Sequence, residues 1–219
     1  MGKTRETNLS DVIYNKLKKA IANGELNPGE KIIESKIIGE FGASRTPIRE
    51  AIKRLEAQEF VETIHNRGTY VRKVTVEEVE HIFDVLSVLE SYGAYLATLN
   101  RAQQEIDVLS ELNHSMRELI NQGKYFEYQE KNTEFHLLIS RLSRNPFLEN
   151  LIREVNDRIH RYRFIGIRIG GNKEEYLSGH DALVVAIREK DPAKAEKEMK
   201  GHIEMIKNLI VSFSRTYRM

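Results

Sequence analysis

At 219 residues, with 40% apolar and 31% charged positions, four prolines and 13 glycines, the chain has the composition of a helix-rich globular protein with room for two modest domains. Cysteine is absent, which excludes disulfides, thiolate zinc sites and a cysteine nucleophile together. The net charge of +1 hides a mild segregation: residues 1 to 73 carry 14 Lys/Arg against 10 Asp/Glu, and residues 74 to 219 carry 20 against 23.

The N-terminal stretch MGKTRETNLSDVIYNKL has no apolar leader core, and no window approaches about 18 uninterrupted apolar residues, so neither a signal peptide nor a membrane span is expected. The location read from this is cytoplasmic, with no membrane partner. A first helix is expected over residues 9 to 23, where Val12, Ile13, Leu17, Ala20 and Ile21 recur at helical spacing and Gly24 ends the run. NGELNPGEKI reads as a turn. A second helix, about Glu34 to Phe41, points Ile37, Ile38 and Phe41 inward, and GAS joins it to a third capped by Ser44 or Thr46. Pro47 falls in the first turn of that helix, where its missing N–H costs least.

The third helix buries Ile48, Ile52 and Leu55. Arg45, Arg49 and Lys53 line an adjacent face, because residues four apart differ by about 40° around the axis. Two short helices and a tight turn make a helix-turn-helix. FVETIHNRGTYVRKV then alternates apolar and polar residues on either side of HNRG, which predicts a β-hairpin, or wing, with Gly68 at its tip.

A boundary near Val74 divides residues 8–74 from 75–219. Thr75 caps the next helix, with Glu78 in position to complete a capping box. Amphipathic helices are expected at about 76–99, 103–121, 124–142, 146–168, 174–189 and 192–214, the last opened by Asp191 and Pro192, with no strand among them. The expected fold is mainly α: an N-terminal winged helix-turn-helix of three helices and a β-hairpin, then an antiparallel all-α bundle of about six helices.

An α-helix fits the major groove of B-DNA, and a helix-turn-helix offers the N-terminal residues of its second helix to the base edges. Arg45 and Arg49 sit there. Arginine's planar fork can make two parallel bonds to guanine, Ser44 and Thr46 can donate to phosphate, and the helix N-terminus itself attracts an anion. Arg67 in the wing is placed to enter a minor groove, with Gly68 allowing close approach. Lys53 and Arg54 read equally well as surface charge.

In the second domain, Asn132 and His136 lie four apart on one helix face, within EKNTEFHLLISRLSRNP. His180 in YLSGHDALVVAI and His202 in KGHIEMI lie on two further helices, each beside apolar residues that should face the bundle. Three inward imidazoles can converge on one divalent ion, with a carboxylate or amide oxygen completing a first-row metal site. Three hydrogen-bonded core histidines are the alternative. His65, His81, His114 and His160 have no partner at ligand spacing and read as structural or surface residues.

The segment KLKKAIANGELNPGEKIIESKIIGEFGASRTPIREAIKRLEAQEFVETIHNRGTYV closely resembles the winged-helix domain of GntR-type bacterial transcription regulators. Residues 75 to 215 resemble the helical effector domain, the FCD domain, of that family's FadR-like branch. The resemblance implies a homodimer on a double-stranded DNA operator, with Ser44, Arg45, Thr46 and Arg49 on the recognition helix and Arg67 and Gly68 in the wing. It also implies Asn132, His136, His180 and His202 as ligands of a divalent transition metal, zinc first with nickel and manganese as alternatives, and a small carboxylate metabolite as effector.

The chain departs from the family pattern twice. Asn132 stands where aspartate is common, which removes one negative charge, and Leu86 in FDVLSVLES stands where an effector-gripping arginine is expected. Arg161, Arg163 and Arg168 in HRYRFIGIRIGG are the candidates to replace it, and a solvated or dimer-facing role is the alternative for each. The expected function is a metabolite-responsive transcriptional repressor and not an enzyme. The rival readings are a purely structural metal and a metal-dependent hydrolase. Glu134, two residues from both Asn132 and His136, points away from their face and makes a poor general base for the latter.

Overall fold

The computed structural model describes the backbone at residues 8–23, 25–73, 75–169 and 173–217, and side chains within these ranges except at 22, 23, 160–169, 173, 175, 216 and 217. Contacts divide the chain into two units, Met1–Lys73 and Val74–Met219.

The first unit holds α1 (Leu9–Asn23), β1 (Lys31–Ile32), α2 (Glu34–Phe41), α3 (Arg45–Ala57), β2 (Val61–Ile64) and β3 (Gly68–Val71). Ile13, Leu17, Ile37, Ile48, Ile52, Leu55, Phe60 and Val71 form its core. Gly42 ends α2 in the left-handed conformation at φ 58°, which a side chain would strain, and this makes the short GAS connection to α3 possible.

Two details differ from the sequence expectation. NGELNPGEKI is not wholly a turn: its last two residues are β1, which pairs antiparallel with β3, so the sheet has three strands in the order β1-β3-β2. In α1, Val12 is exposed and Tyr14 is buried in its place. The inward stripe is centred between Ile13 and Tyr14, leaving Val12 a quarter-turn outside it. The Tyr14 hydroxyl donates to Gln58 Oε1 at 2.6 Å, tying α1 to the end of α3.

The second unit consists of α4 (Val76–Asn100), α5 (Gln103–Asn121), α6 (Tyr125–Leu142), α7 (Pro146–Ile169), α8 (Lys173–Glu189) and α9 (Pro192–Tyr217). The Thr75 hydroxyl accepts from the Glu78 N–H at 3.1 Å, and the Glu78 carboxylate accepts from the Thr75 N–H at 3.4 Å, closing the capping box. Asp191 caps α9 by accepting from the Lys194 N–H at 2.9 Å. The α8 C-terminus is held by Arg101, which donates to the carbonyls of Ile187 and Arg188 at 2.6 and 2.9 Å.

Helix α4 packs against α6, α7, α8 and α9. By length and composition it could cross a membrane, but its inward side, with Val79, Phe83, Leu86 and Ala94, is bundle core. Its outer side keeps Val85, Val88, Tyr92 and Leu99 exposed.

Candidate functional site

Helix α3 is the second helix of the helix-turn-helix. Ser44 occupies its N-cap position, yet the Ser44 side chain makes no capping hydrogen bond, and no acidic residue lies in the first turn. The partial positive charge of the helix N-terminus therefore has no carboxylate from that turn beside it. Ser44, Arg45, Thr46, Arg49 and Lys53 are all exposed. Ile48, Ala51, Ile52 and Leu55 are buried, which fixes the helix rotation and turns the basic stripe outward.

Arg54 behaves differently from the rest of the stripe. Its guanidinium pairs with Asp11 at 2.5 Å and stacks over the Tyr14 ring at 4.1 Å, so its place is in the α1–α3 contact. In the hairpin, His65, Asn66 and Arg67 form an exposed loop between the paired residues Ile64 and Gly68. Asn66 and Gly68 both take positive φ, 59° and 103°, so Gly68 opens β3 at the base of the loop and Asn66 turns its tip. Tyr70 steadies the loop by donating to the Arg67 carbonyl at 3.1 Å.

In the second unit, α6 carries Asn132 and His136, α8 carries His180 and α9 carries His202, and all four are buried. One ring nitrogen from each histidine lies within 4.8 Å of the others. The closest rings, His180 and His202, have centroids 4.4 Å apart, and Phe135 closes one side at 4.8 Å from His180. Asn132 Oδ1 is buried with no hydrogen-bond donor among the described residues. Such an oxygen costs roughly 1–3 kcal/mol unless something supplies the missing contact. Three imidazoles and a spare oxygen form a donor set that fits a first-row cation.

Gly179 is what lets α8 and α9 bring their histidines together. A Cβ at that position would meet His202 Nδ1 at 2.7 Å and Cγ at 3.3 Å, inside ordinary contact distance.

Sequence reasoning missed Glu90. It is buried on α4, with Oε2 at 2.7 Å from His136 Nδ1. Its Oε1 accepts from Asn156 Nδ2 of α7 at 3.0 Å, and the same nitrogen reaches the Ile152 carbonyl at 2.9 Å. The signal was present: Glu90 continues the inward series Val79, Phe83, Leu86, where a carboxylate needs a buried partner. Leu86 itself is fully buried in the apolar core. Glu134 is exposed and paired with Lys131 at 2.7 Å, away from the cluster. His65, His81 and His114 are exposed. The side chains of Arg161, Arg163 and Arg168, and of His160, lie outside the described residues.

A winged helix-turn-helix with an outward basic recognition helix, carried in one chain with a helical bundle around a buried polar cluster, defines a DNA-binding regulator with a helical second domain. The chain belongs to the GntR family of bacterial regulatory proteins, in its FadR-like branch: the GntR family pattern matches residues 9–71 and the FCD domain pattern residues 81–205.

Among curated relatives, the HTH-type transcriptional regulator YdhC of Bacillus subtilis is 30% identical over 190 residues, covering 86% of this chain and 85% of that protein. The Escherichia coli transcriptional repressor GlaR is 27% identical over 199 residues, covering 87% and 90% respectively. Among solved structures, a GntR-type regulator from Rhodococcus superposes with a TM-score of 0.73 at 20% identity, over 93% of this chain and 97% of that one. The protein is a DNA-binding transcriptional regulator and not an enzyme.

Proposed function

We propose that the regulator binds a pseudo-palindromic operator as a homodimer and acts in the cytoplasm as a metabolite-responsive repressor. Residues 8–74 form the DNA-binding domain and residues 75–219 the effector and dimerisation domain. Arg45 and Arg49 read base edges in the major groove, Ser44 and Thr46 bind phosphate, and Arg67 beside Gly68 enters the minor groove. The exposure of the α3 stripe supports this assignment, as does the contrast with Arg54, whose charge is already engaged.

The helical domain holds a divalent transition metal through Asn132, His136, His180 and His202. The observation that carries this reading is the convergence of three buried imidazoles beside an unsatisfied amide oxygen. Imidazole-rich sets suit zinc and nickel, and zinc is the first choice; the oxygen donor leaves manganese as a further alternative. A small carboxylate effector would bind at the metal, with Arg161, Arg163 or Arg168 supplying the cation that Leu86 does not. Dimerisation is supported by the outer face of α4, where Val85, Val88, Tyr92 and Leu99 recur at heptad spacing and stay exposed.

The effector changes DNA binding by favouring one arrangement of the two winged helices, and the operator must change effector affinity by the same factor. The test is selection of binding sites from a random duplex library, followed by gel shift with metal, with chelator and with a panel of small organic acids. Two-fold repeats, and an acid response that chelation abolishes, are expected. Metal binding without any effect of acids on DNA would reduce the metal to a structural role.

A further inference from the structure

The reading of a metal at the histidine cluster leaves Glu90 unassigned, although its carboxylate lies against a cluster histidine. We propose that Glu90 is the positioning residue of His136, held in turn by Asn156, and that this chain orients the imidazole for the cation from the far side of the ring. The inference rests on the metal reading above.

The argument begins with proton placement. A neutral imidazole has one N–H and one lone pair, whereas an ionised carboxylate can only accept. Glu90 Oε2 lies 2.7 Å from His136 Nδ1 but out of hydrogen-bond alignment with it, and a turn of the ring that lets Nδ1–H donate to the carboxylate leaves the lone pair on Nε2. Nε2 is then the ligand atom, in the carboxylate–histidine–metal arrangement that fixes ring orientation and raises ligand basicity.

The second part is rigidity. A carboxylate free to rotate would fix nothing, but Glu90 is 2% exposed and its other oxygen accepts from Asn156 Nδ2 at 3.0 Å. Asn156 is itself anchored to the Ile152 carbonyl of its own helix at 2.9 Å. Three helices thus contribute in series: α7 holds the carboxylate, α4 carries it, and α6 presents the oriented imidazole.

The third part is charge. Asn132 and three neutral imidazoles bring no formal negative charge to a divalent ion. Glu90 places one such charge a single imidazole away, where low dielectric makes it count. Glu90 therefore does through His136 part of what an aspartate at position 132 would do by direct contact.

The experiment uses the full chain in three forms, wild type, Glu90→Gln and Glu90→Leu. Zinc affinity is measured by competition with a chromophoric chelator, and cobalt is substituted to record ligand-field absorption. Glu90→Gln keeps shape and removes charge; Glu90→Leu also removes the acceptor. The expected result is zinc affinity lower by about 10- to 100-fold, more in Glu90→Leu than in Glu90→Gln. The cobalt bands should shift while keeping the wild-type intensity, because the number of donors is unchanged.

Equal affinity in all three forms overturns the assignment. A change in cobalt intensity that signals a lost donor overturns it too, since Glu90 would then be a direct ligand. If Glu90→Leu fails to fold, Glu90→Gln carries the same comparison. Wild-type protein that binds no cation is a distinct failure, because it removes the metal reading itself.

Discussion

Gly179→Ala sets two opposite effects against each other. Glycine inside a helix costs about 1 kcal/mol relative to alanine, so with free space the substitution would stabilise α8 by that amount. The space is not free. The new methyl would lie 2.7 Å from His202 Nδ1, and ordinary contact begins at 3.4 Å, so the ring must retreat by about 0.7 Å. His202 is buried and its helix is packed along its length, so overpacking of this kind costs roughly 1–3 kcal/mol. The net expectation without metal is a loss of up to about 2 kcal/mol.

The larger effect concerns the cation. Metal–donor distances tolerate about 0.2 Å, so a shift several times that size weakens or removes His202 as a ligand. A tenfold weaker site at saturating zinc loses about 1.4 kcal/mol of ligand-induced stabilisation. Urea unfolding of wild type and variant, each with zinc and with chelator, separates the two effects. A variant about 1 kcal/mol more stable than wild type, with an unchanged zinc increment, would refute the close approach of α8 to His202 and the ligand role built on it.

Arg49→Ala should weaken binding to the selected operator by about 1–3 kcal/mol and relax sequence preference in gel-shift titration; unchanged affinity would remove the base contact. Arg54→Ala should leave DNA affinity within about twofold and lower unfolding stability by up to about 1 kcal/mol, since its partners are the exposed Asp11 carboxylate and the ring of the buried Tyr14. Val88→Asp places a charge on the exposed heptad of α4, and sedimentation velocity should show monomers where the wild type gives dimers. A variant that stayed dimeric would move the interface elsewhere.

Most of the architecture was legible because the helices are amphipathic and their ends carry strong chemistry, as at Thr75 with Glu78 and at Asp191. The two-residue strand Lys31–Ile32 was not, because alternation needs more residues and the strand exists only through its pairing with Thr69 and Tyr70. Val12 was misjudged because a stripe two columns wide can be centred on either side of Ile13, and only the partner helix decides.

At the cluster, each histidine could be placed on an inward helix face from its own apolar neighbours. Their mutual distances depend on how α6, α8 and α9 pack, which spacing along the chain does not encode. Gly179 carries no signal in the sequence, because its close approach to the His202 ring exists only in the packing of α8 against α9. Glu90 shows in the sequence only as an acidic residue on the otherwise apolar face of α4 that carries Val79, Phe83 and Leu86, and its partner on α6 does not show at all.

The central claim is that a cation belongs at the junction of α6, α8 and α9, and native mass spectrometry of the full chain tests it most directly. Protein loaded with zinc and exchanged into volatile buffer should carry one ion per chain, and the His136→Ala, His180→Ala and His202→Ala variants should each retain far less. Wild-type chains without bound zinc, or the three variants with undiminished zinc, would contradict it.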